Sequence, residues 1–301
     1  MKILLLGKNG QVGFELDRSL QPLGQVYALD RHSNADGLCG DVANFDAMTH
    51  AFDQIRPDIV VNGAAYTAVD KAETDTVQAE LINHLAVKHL AELAKQHQAL
   101  LIHYSTDYVF DGTGETAWTE EDSTGPINVY GQTKRQGELA LEQSGANFIN
   151  LRTSWVYGTH GNNFIKTMLK LGASRETLGI IADQIGSPTG ASLIADITAQ
   201  IIRQYQLNPT SIEMGHYHLA ARGECSWYDY AKFIFDVARE MGADLKVKQV
   251  NAIGTADYPT PAKRPHNSRL NTSKLQRNFS LHLPHWQQGV RQVLGELIDD
   301  N

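Results

Sequence analysis

The strongest constraint on the fold lies in residues 7–13, which read GKNGQVG and contain Gly7, Gly10 and Gly13. The apolar residues 3–6 precede this run, and residues 11–20 follow it with the apolar spacing of a helix. Glycine permits a tight turn, close helix–strand packing and close approach of a phosphate to the backbone. The helix N terminus offers free N–H groups to that phosphate. The pattern therefore predicts a strand, a phosphate-binding turn and a helix, although its spacing is G-x-x-G-x-x-G instead of the usual G-x-G-x-x-G.

Strand and helix patterns alternate after this unit. Strands are predicted at residues 26–29, 59–62, 100–104 and 148–151, and helices at 79–98 and 130–143. This alternation predicts an α/β fold with a doubly wound parallel sheet. Beyond residue 151 the rhythm is irregular, with helices predicted at 192–205, 227–241 and 287–297. We expect a dinucleotide-binding domain at 1–151 with an interleaved segment near 190–220, and mainly a smaller substrate-binding lobe at 152–301.

Composition excludes several classes of partner. The net charge of −8 over 301 residues argues against nucleic acid as a partner, because nucleic-acid-binding surfaces are basic. No apolar run approaches the length that crosses a bilayer. Cys39 and Cys225 lie far apart, which predicts reduced thiols. We expect a cytoplasmic protein that binds a small molecule and neither nucleic acid nor membrane.

Asp30 ends the second predicted strand, about 20 residues beyond the glycine run. An acidic residue there binds the adenosine ribose hydroxyls and favours NADH. Arg31 follows and could accept a 2′-phosphate. The sequence therefore leaves both NADH and NADPH open.

Tyr130 and Lys134 are spaced four residues apart and so lie on one face of a predicted helix. A nearby ammonium lowers the pKa of a phenol, so the pair predicts a group that exchanges protons near neutral pH. Thr106 follows the strand at 100–104, at the sheet edge where α/β proteins bind ligands. It is a candidate to hydrogen-bond a substrate oxygen.

Together, these motifs resemble the extended short-chain dehydrogenase/reductase family. The resemblance extends over essentially the whole chain, in the phrases GKNGQVG (7–13), AVDKAE (68–73), YSTDYVF (104–110), RTSWVY (152–157) and RPHNSRLN (264–271). It implies a Rossmann-type fold and reduction of a nucleotide-sugar ketone by NADPH or NADH. It also implies catalytic roles for Thr106, Tyr130 and Lys134, with Tyr130 as proton donor.

The resemblance implies cofactor contacts at Gly7, Gly10, Gln11, Val12, Gly13, Asp30, Asp41, Val42, Ala65, Tyr66, Thr67, Tyr104, Tyr130 and Lys134. It implies substrate contacts at Thr106, Asp107, Tyr130 and Trp155. Four further cations are candidates for the diphosphate of a nucleotide sugar, because guanidinium and ammonium groups bind phosphate: Arg152, Lys263, Arg264 and Arg269.

Some members of this family bind magnesium at a homodimer contact. Glu15 and Asp196 match its carboxylates, but Ser192 stands where a glutamate is expected. A hydroxyl is a weaker ligand than a carboxylate for magnesium. We therefore predict no metal site and leave a homodimer open.

Two other functions are compatible with the fold. A nucleotide-sugar epimerase or dehydratase is one, but related dehydratases carry Asp-Glu after the threonine, whereas this chain has Asp107 and Tyr108. A non-catalytic regulatory subunit, such as that of methionine adenosyltransferase, is the other. The presence of Thr106, Tyr130 and Lys134 favours a reductase over both.

Overall fold

A six-stranded parallel sheet forms the centre of the computed structural model, which describes residues 1–299. Its strands are β1 (Lys2–Leu6), β2 (Gln25–Leu29), β3 (Ile59–Asn62), β4 (Leu100–Thr106), β5 (Phe148–Thr153) and β10 (Gly215–His218), in the spatial order β10-β5-β4-β3-β1-β2. Every neighbouring pair is parallel. The strand order reverses between β1 and β3, as in doubly wound folds. The predicted fold class is confirmed.

Helices cover both faces of this sheet. The helices of the chain are α1 (Gln11–Leu20), α2 (Phe45–Ile55), α3 (Val69–Ala72), α4 (Thr76–Glu80), α5 (Ala86–His97), α6 (Val129–Ser144), α7 (Phe164–Ser174), α8 (Ala191–Leu207), α9 (Trp227–Glu240), α10 (Ser273–Asn278) and α11 (Trp286–Asp299). Helices α1 and α8 share one apolar core with the sheet, and α2 and α5 share the other. The inner strands β1, β3, β4 and β5 are buried from both sides, which explains their mainly apolar sequence. None of the helices within residues 1–299 is long and apolar enough to cross a membrane.

A separate apolar core lies in the second half of the chain, where α7, α9 and α11 pack around Tyr230 and Phe235. Short strands complete this region: β6 (Val156–Tyr157), β7 (Thr177–Ile181), β8 (Ile185–Gly186), β9 (Thr189–Gly190), β11 (Cys225–Ser226) and β12 (Gln249–Ile253). Helix α8 and strand β10 return to the main sheet. The division at residue 151 stays a prediction, and residues 300 and 301 of the predicted lobe lie outside the described residues.

The predicted helix at 79–98 is wrong as a single regular helix, because a π-helical turn, Leu81–Leu85, separates α4 from α5. The turn directs the buried Asn83 side chain inward, where its amide bonds both the N–H and the carbonyl of Tyr66. A Cβ at Gly137 would overlap the carbonyl oxygen of Asn83. The irregular turn thus packs closely against α6 and holds the loop after β3.

Candidate active site

The glycine run forms the predicted turn between β1 and α1. Gly7 has φ +79°, a conformation that side chains rarely adopt. A Cβ at Gly13 would overlap the carbonyl oxygen of Gly7. Within the described residues, no side chain caps the N terminus of α1 and no acidic residue lies in its first turn. The free N–H groups and the absence of negative charge fit a pyrophosphate at this position.

We expect Gly13→Ala to destabilise the protein by about 1–3 kcal/mol, because the new methyl group must displace α1 from the turn. Cofactor affinity should fall as well, which fluorescence titration with NADPH measures. Gly10→Ala is the matched control, because its Cβ would lie 3.4 Å from the nearest atom, the Gly7 carbonyl oxygen. Equal urea midpoints for the two variants would contradict the packing role of Gly13.

The remaining predicted cofactor residues surround this turn. Asp30 accepts hydrogen bonds from the His32 N–H at 2.8 Å and the Asn9 amide at 3.0 Å, and these bonds lower its pKa. Gln11 accepts a bond from Asn163 at 3.0 Å. Val12 is half-buried in the first turn of α1, and Ala65 and Thr67 are exposed on the loop after β3. Asp41 and Val42 lie on the loop between β2 and α2, where Val42 is buried and Asp41 accepts a bond from the Ala43 N–H.

Helix α6 presents Tyr130 at the end of β4. Asn128 caps this helix by accepting the Gly131 N–H at 2.8 Å, which fixes the position of the first turn. The Tyr130 phenol lies beside the Thr106 hydroxyl, and the Tyr108 ring packs edge-on against it with centroids 5.6 Å apart. Burial raises the pKa of Tyr130 above its usual value. The phenol therefore holds its proton at neutral pH.

Burial raises the pKa of Tyr130, whereas the spacing of the pair predicted a lowered value, and the effect of Lys134 on this phenol stays a prediction. The Lys134 Nζ donates to the Tyr104 carbonyl at 2.5 Å and lies 3.3 Å from His103 Nε2. Burial lowers the pKa of Lys134 itself to about 8. Tyr104 contributes only its carbonyl here, because its phenol bonds Thr198 on α8 at 2.8 Å.

Thr106 lies at the last position of β4, two residues beyond the predicted end of the strand. Its hydroxyl donates to Asp107 Oδ1 at 3.1 Å and accepts the Tyr108 N–H at 3.2 Å. Asp107 is 2% exposed, and burial raises its pKa to about 7 although the Thr106 hydroxyl donates to it. Thr106, Asp107 and Tyr130 thus form one cluster.

The raised pKa of Asp107 predicts a pH dependence of stability. The carboxyl titrates near 3.8 when unfolded and near 7 when folded, so the folded state binds the extra proton between these values. The contribution of this carboxyl to the free energy of unfolding is fully present below pH 3.8 and is lost as pH rises through 7. The loss amounts to at most about 4 kcal/mol. Between pH 5 and 8, Asp107→Asn should remove this dependence of the free energy of unfolding on pH, which urea unfolding measures. Asp244→Asn, at an exposed carboxylate, is the control, and parallel slopes for wild type and Asp107→Asn would refute the assignment.

A cleft of about 560 Å³ adjoins this cluster through Tyr108. Arg264, Arg175 and Trp227 also line it. Arg264 bonds Asp70 at 2.7 Å and lies close enough to Tyr108 for its charge to oppose the rise that burial causes in the pKa of that phenol. Trp155, in the left-handed region at φ 47°, stacks on Trp227 with centroids 3.6 Å apart. The structure therefore places an aromatic platform and two guanidinium groups around one opening.

The other predicted cations are placed differently. Arg152 is 3% exposed and makes a bidentate pair with Glu138, so the structure removes it from the diphosphate candidates. Arg269 pairs with Glu224 at 2.7 Å, and the Lys263 carbonyl accepts a bond from Asn128.

The possible magnesium residues lie close together. Arg18 bridges Glu15 at 3.3 Å and Asp196 at 3.1 Å. Within residues 1–299, no group of three or more histidine, cysteine, aspartate or glutamate side chains is arranged to hold a metal ion.

Several residues of the site region were not predicted from the sequence, among them Trp227 beside Trp155. Asn83 and His103 act through buried polar contacts, and Arg175 lines the cleft from the end of α7. Of the residues just named, His103 has a signal in the sequence, because it is a polar residue inside an otherwise apolar strand.

A doubly wound sheet with a glycine turn after β1, a threonine at the end of β4 and a tyrosine–lysine pair on α6 defines an extended short-chain dehydrogenase/reductase. The profile described as RmlD substrate binding domain matches residues 1–298, and the chain belongs to the dTDP-4-dehydrorhamnose reductase family.

Similar proteins come from several bacteria. The chain is 53% identical over 298 residues to dTDP-4-dehydrorhamnose reductase of Escherichia coli K12, covering 99% of this chain and 98% of the relative. A crystal structure of such a reductase from Clostridium acetobutylicum has a TM-score of 0.88 and 35% identity, covering 99% of both chains. One from Bacillus anthracis, in complex with NADP, has a TM-score of 0.86 and 33% identity, covering 98% of this chain and 99% of that one.

Proposed function

We propose that this protein reduces the 4-keto group of dTDP-4-dehydro-L-rhamnose to give dTDP-L-rhamnose, with NADPH or NADH as reductant. Family membership supports the reaction. The single structural observation that carries it is the contact of the Tyr130 phenol with the Thr106 hydroxyl at the end of β4. It provides a proton donor and a second hydroxyl for one substrate oxygen.

The mechanism assigns a separate task to each side chain. The bound nicotinamide supplies the hydride, which is the chemistry of the cofactor. Tyr130 holds a proton because burial raises its pKa, and it gives this proton to the substrate oxygen as negative charge develops there. Thr106 fixes the position of that oxygen. Lys134 lies behind Tyr130 on α6 and contributes positive charge when protonated.

The cleft supports a nucleotide-sugar substrate. Arg264 and Arg175 line it and can bind the diphosphate, and Trp227, stacked on Trp155, provides a flat apolar surface. Tyr108 occupies the position where a dehydratase would carry a glutamate. These features favour simple reduction over dehydration, epimerisation or a regulatory role.

The test is a stoichiometric assay with freshly prepared dTDP-4-dehydro-L-rhamnose. We expect one NADPH or NADH oxidised per sugar reduced, because a reductase consumes its cofactor whereas an epimerase or dehydratase regenerates it. Initial rates with NADH and with NADPH determine which cofactor the protein prefers. The ionised Asp30 favours NADH. Conversion of the sugar without loss of absorbance at 340 nm would contradict the proposal.

We also propose a cytoplasmic homodimer. Free Cys39 and Cys225 support a reducing compartment.

The cluster of Glu15, Arg18 and Asp196 lies at the surface and supports a contact between two copies at α1 and α8. Sedimentation equilibrium of wild type and Arg18→Glu tests this contact, and a monomeric wild type would refute it.

A further inference from the structure

A buried row of hydrogen bonds runs behind the tyrosine, from Ala64 through Asn62 and His103 to Lys134. Asn62, His103 and Lys134 are 2%, 1% and 2% exposed. We propose that Asn62 fixes His103 as the tautomer protonated on Nε2, and that this N–H, directed at Lys134, sets the proton affinity of the lysine. His103 is then a positioning residue, and the proposal rests on the function proposed for Lys134.

The first step is the orientation of the Asn62 amide. The Ala64 N–H donates to Asn62 Oδ1 at 3.1 Å, and Asn62 Nδ2 lies 3.1 Å from His103 Nδ1. A backbone N–H only donates, so the amide oxygen must face Ala64 and the amide nitrogen must face His103. The reverse orientation would place two donors opposite each other. Nδ1 of His103 is therefore the acceptor.

The second step is the proton count on His103. Burial, and then the charge of Lys134, hold the pKa of this imidazole well below its usual value, so the ring is neutral. A neutral imidazole has one N–H and one lone pair. Because Nδ1 uses its lone pair on Asn62, the hydrogen is on Nε2, which lies 3.3 Å from Lys134 Nζ.

The third step concerns the lysine. Lys134 donates to the Tyr104 carbonyl, and an uncharged amine can do so while presenting its lone pair to the His103 N–H. An ammonium has only donors, so one N–H would oppose another. Burial also lowers the pKa of Lys134, whereas Glu138, on the same helix, raises it. On the other side, His216 of β10 further disfavours a charge on His103.

The consequence is a lysine that changes charge within the working pH range of the enzyme. A lysine in water has a pKa of about 10.4 and is almost always charged at neutral pH. If the charged form supports catalysis, the rate falls as pH rises through the lowered pKa of about 8. Burial and the opposing His103 N–H act on the pKa of Lys134 in the same direction, so removal of that N–H should shift the decline.

The tautomer can be observed directly. Protein labelled with ¹⁵N-histidine gives long-range ¹H–¹⁵N correlations for all 12 imidazoles, and His103→Gln identifies the His103 signals by their loss. We expect a protonated Nε2 and an unprotonated Nδ1 at pH 7. A protonated Nδ1, alone or on a doubly protonated ring, would overturn the proposal. This measurement requires no turnover, so it decides the tautomer even if the proposed reaction is wrong.

The effect on Lys134 is tested by pH–rate profiles. In His103→Phe the opposing N–H is absent, so we expect the alkaline decline of kcat to move upward by about one pH unit or more. His103→Gln keeps an amide N–H toward Lys134 and an oxygen toward Asn62, and should keep the decline near its original position. Circular dichroism establishes folding of both variants. An unchanged profile in folded His103→Phe would contradict the role of His103.

Discussion

Tyr130→Phe is expected to lower kcat for ketone reduction by about 10²–10⁴-fold, because general-acid catalysis contributes a factor of this size. The substitution removes only the hydroxyl, so the ring still packs edge-on against Tyr108. The raised pKa of Tyr130 means that the wild-type group carries its proton at neutral pH and can donate it. Initial rates at saturating NADPH and saturating keto sugar measure the loss.

Tyr108→Phe is the matched control. Tyr108 lies beside Arg264 and lines the cleft, so we expect a rise in KM and a change in kcat of less than about tenfold. NADPH affinity should be retained in Tyr130→Phe, as fluorescence titration can establish. More than about a tenth of wild-type kcat in Tyr130→Phe would contradict its role as proton donor.

The central sheet could be predicted because its inner strands are buried on both faces. Residues 3–6 and 59–61 read as continuous apolar runs, and glycines mark the first turn. The π-helical turn could not be predicted, because its apolar positions also fit an ordinary helix. The turn is instead determined by hydrogen bonds between Asn83 and the backbone of Tyr66, a residue outside the helix.

In the site, sequence motifs predicted which residues are present but not where their polar atoms point. The spacing of Tyr130 and Lys134 places both on one helix face, yet the lysine bonds a carbonyl of β4. Arg152 was a candidate for the diphosphate, but it is buried and paired with Glu138 of α6. Such directions depend on which strand lies beneath each helix, and local periodicity contains no information about that.

Glu138→Gln is expected to destabilise the protein by about 3–5 kcal/mol, because it leaves the Arg152 guanidinium buried without a counter-charge. Glu138 is 0% exposed and accepts two bonds of 2.8 Å from Arg152. Burial alone would raise the pKa of Glu138, but the bonds from Arg152 outweigh it and hold the pKa at about 2. The carboxylate is therefore charged throughout the neutral range, and urea unfolding at pH 7 measures the loss.

Glu142→Gln makes the same substitution one turn later on α6, at a side chain that is 37% exposed and bonds Arg135 at 2.6 Å. Exposed ion pairs contribute little, so this control should cost less than about 1 kcal/mol. The double variant Glu138→Leu with Arg152→Met removes both buried charges. It should be more stable than Glu138→Gln, because a buried ion pair is close to balanced against its own desolvation. If the double variant is less stable than Glu138→Gln, the cost lies in the packing of these side chains and not in an unpaired charge.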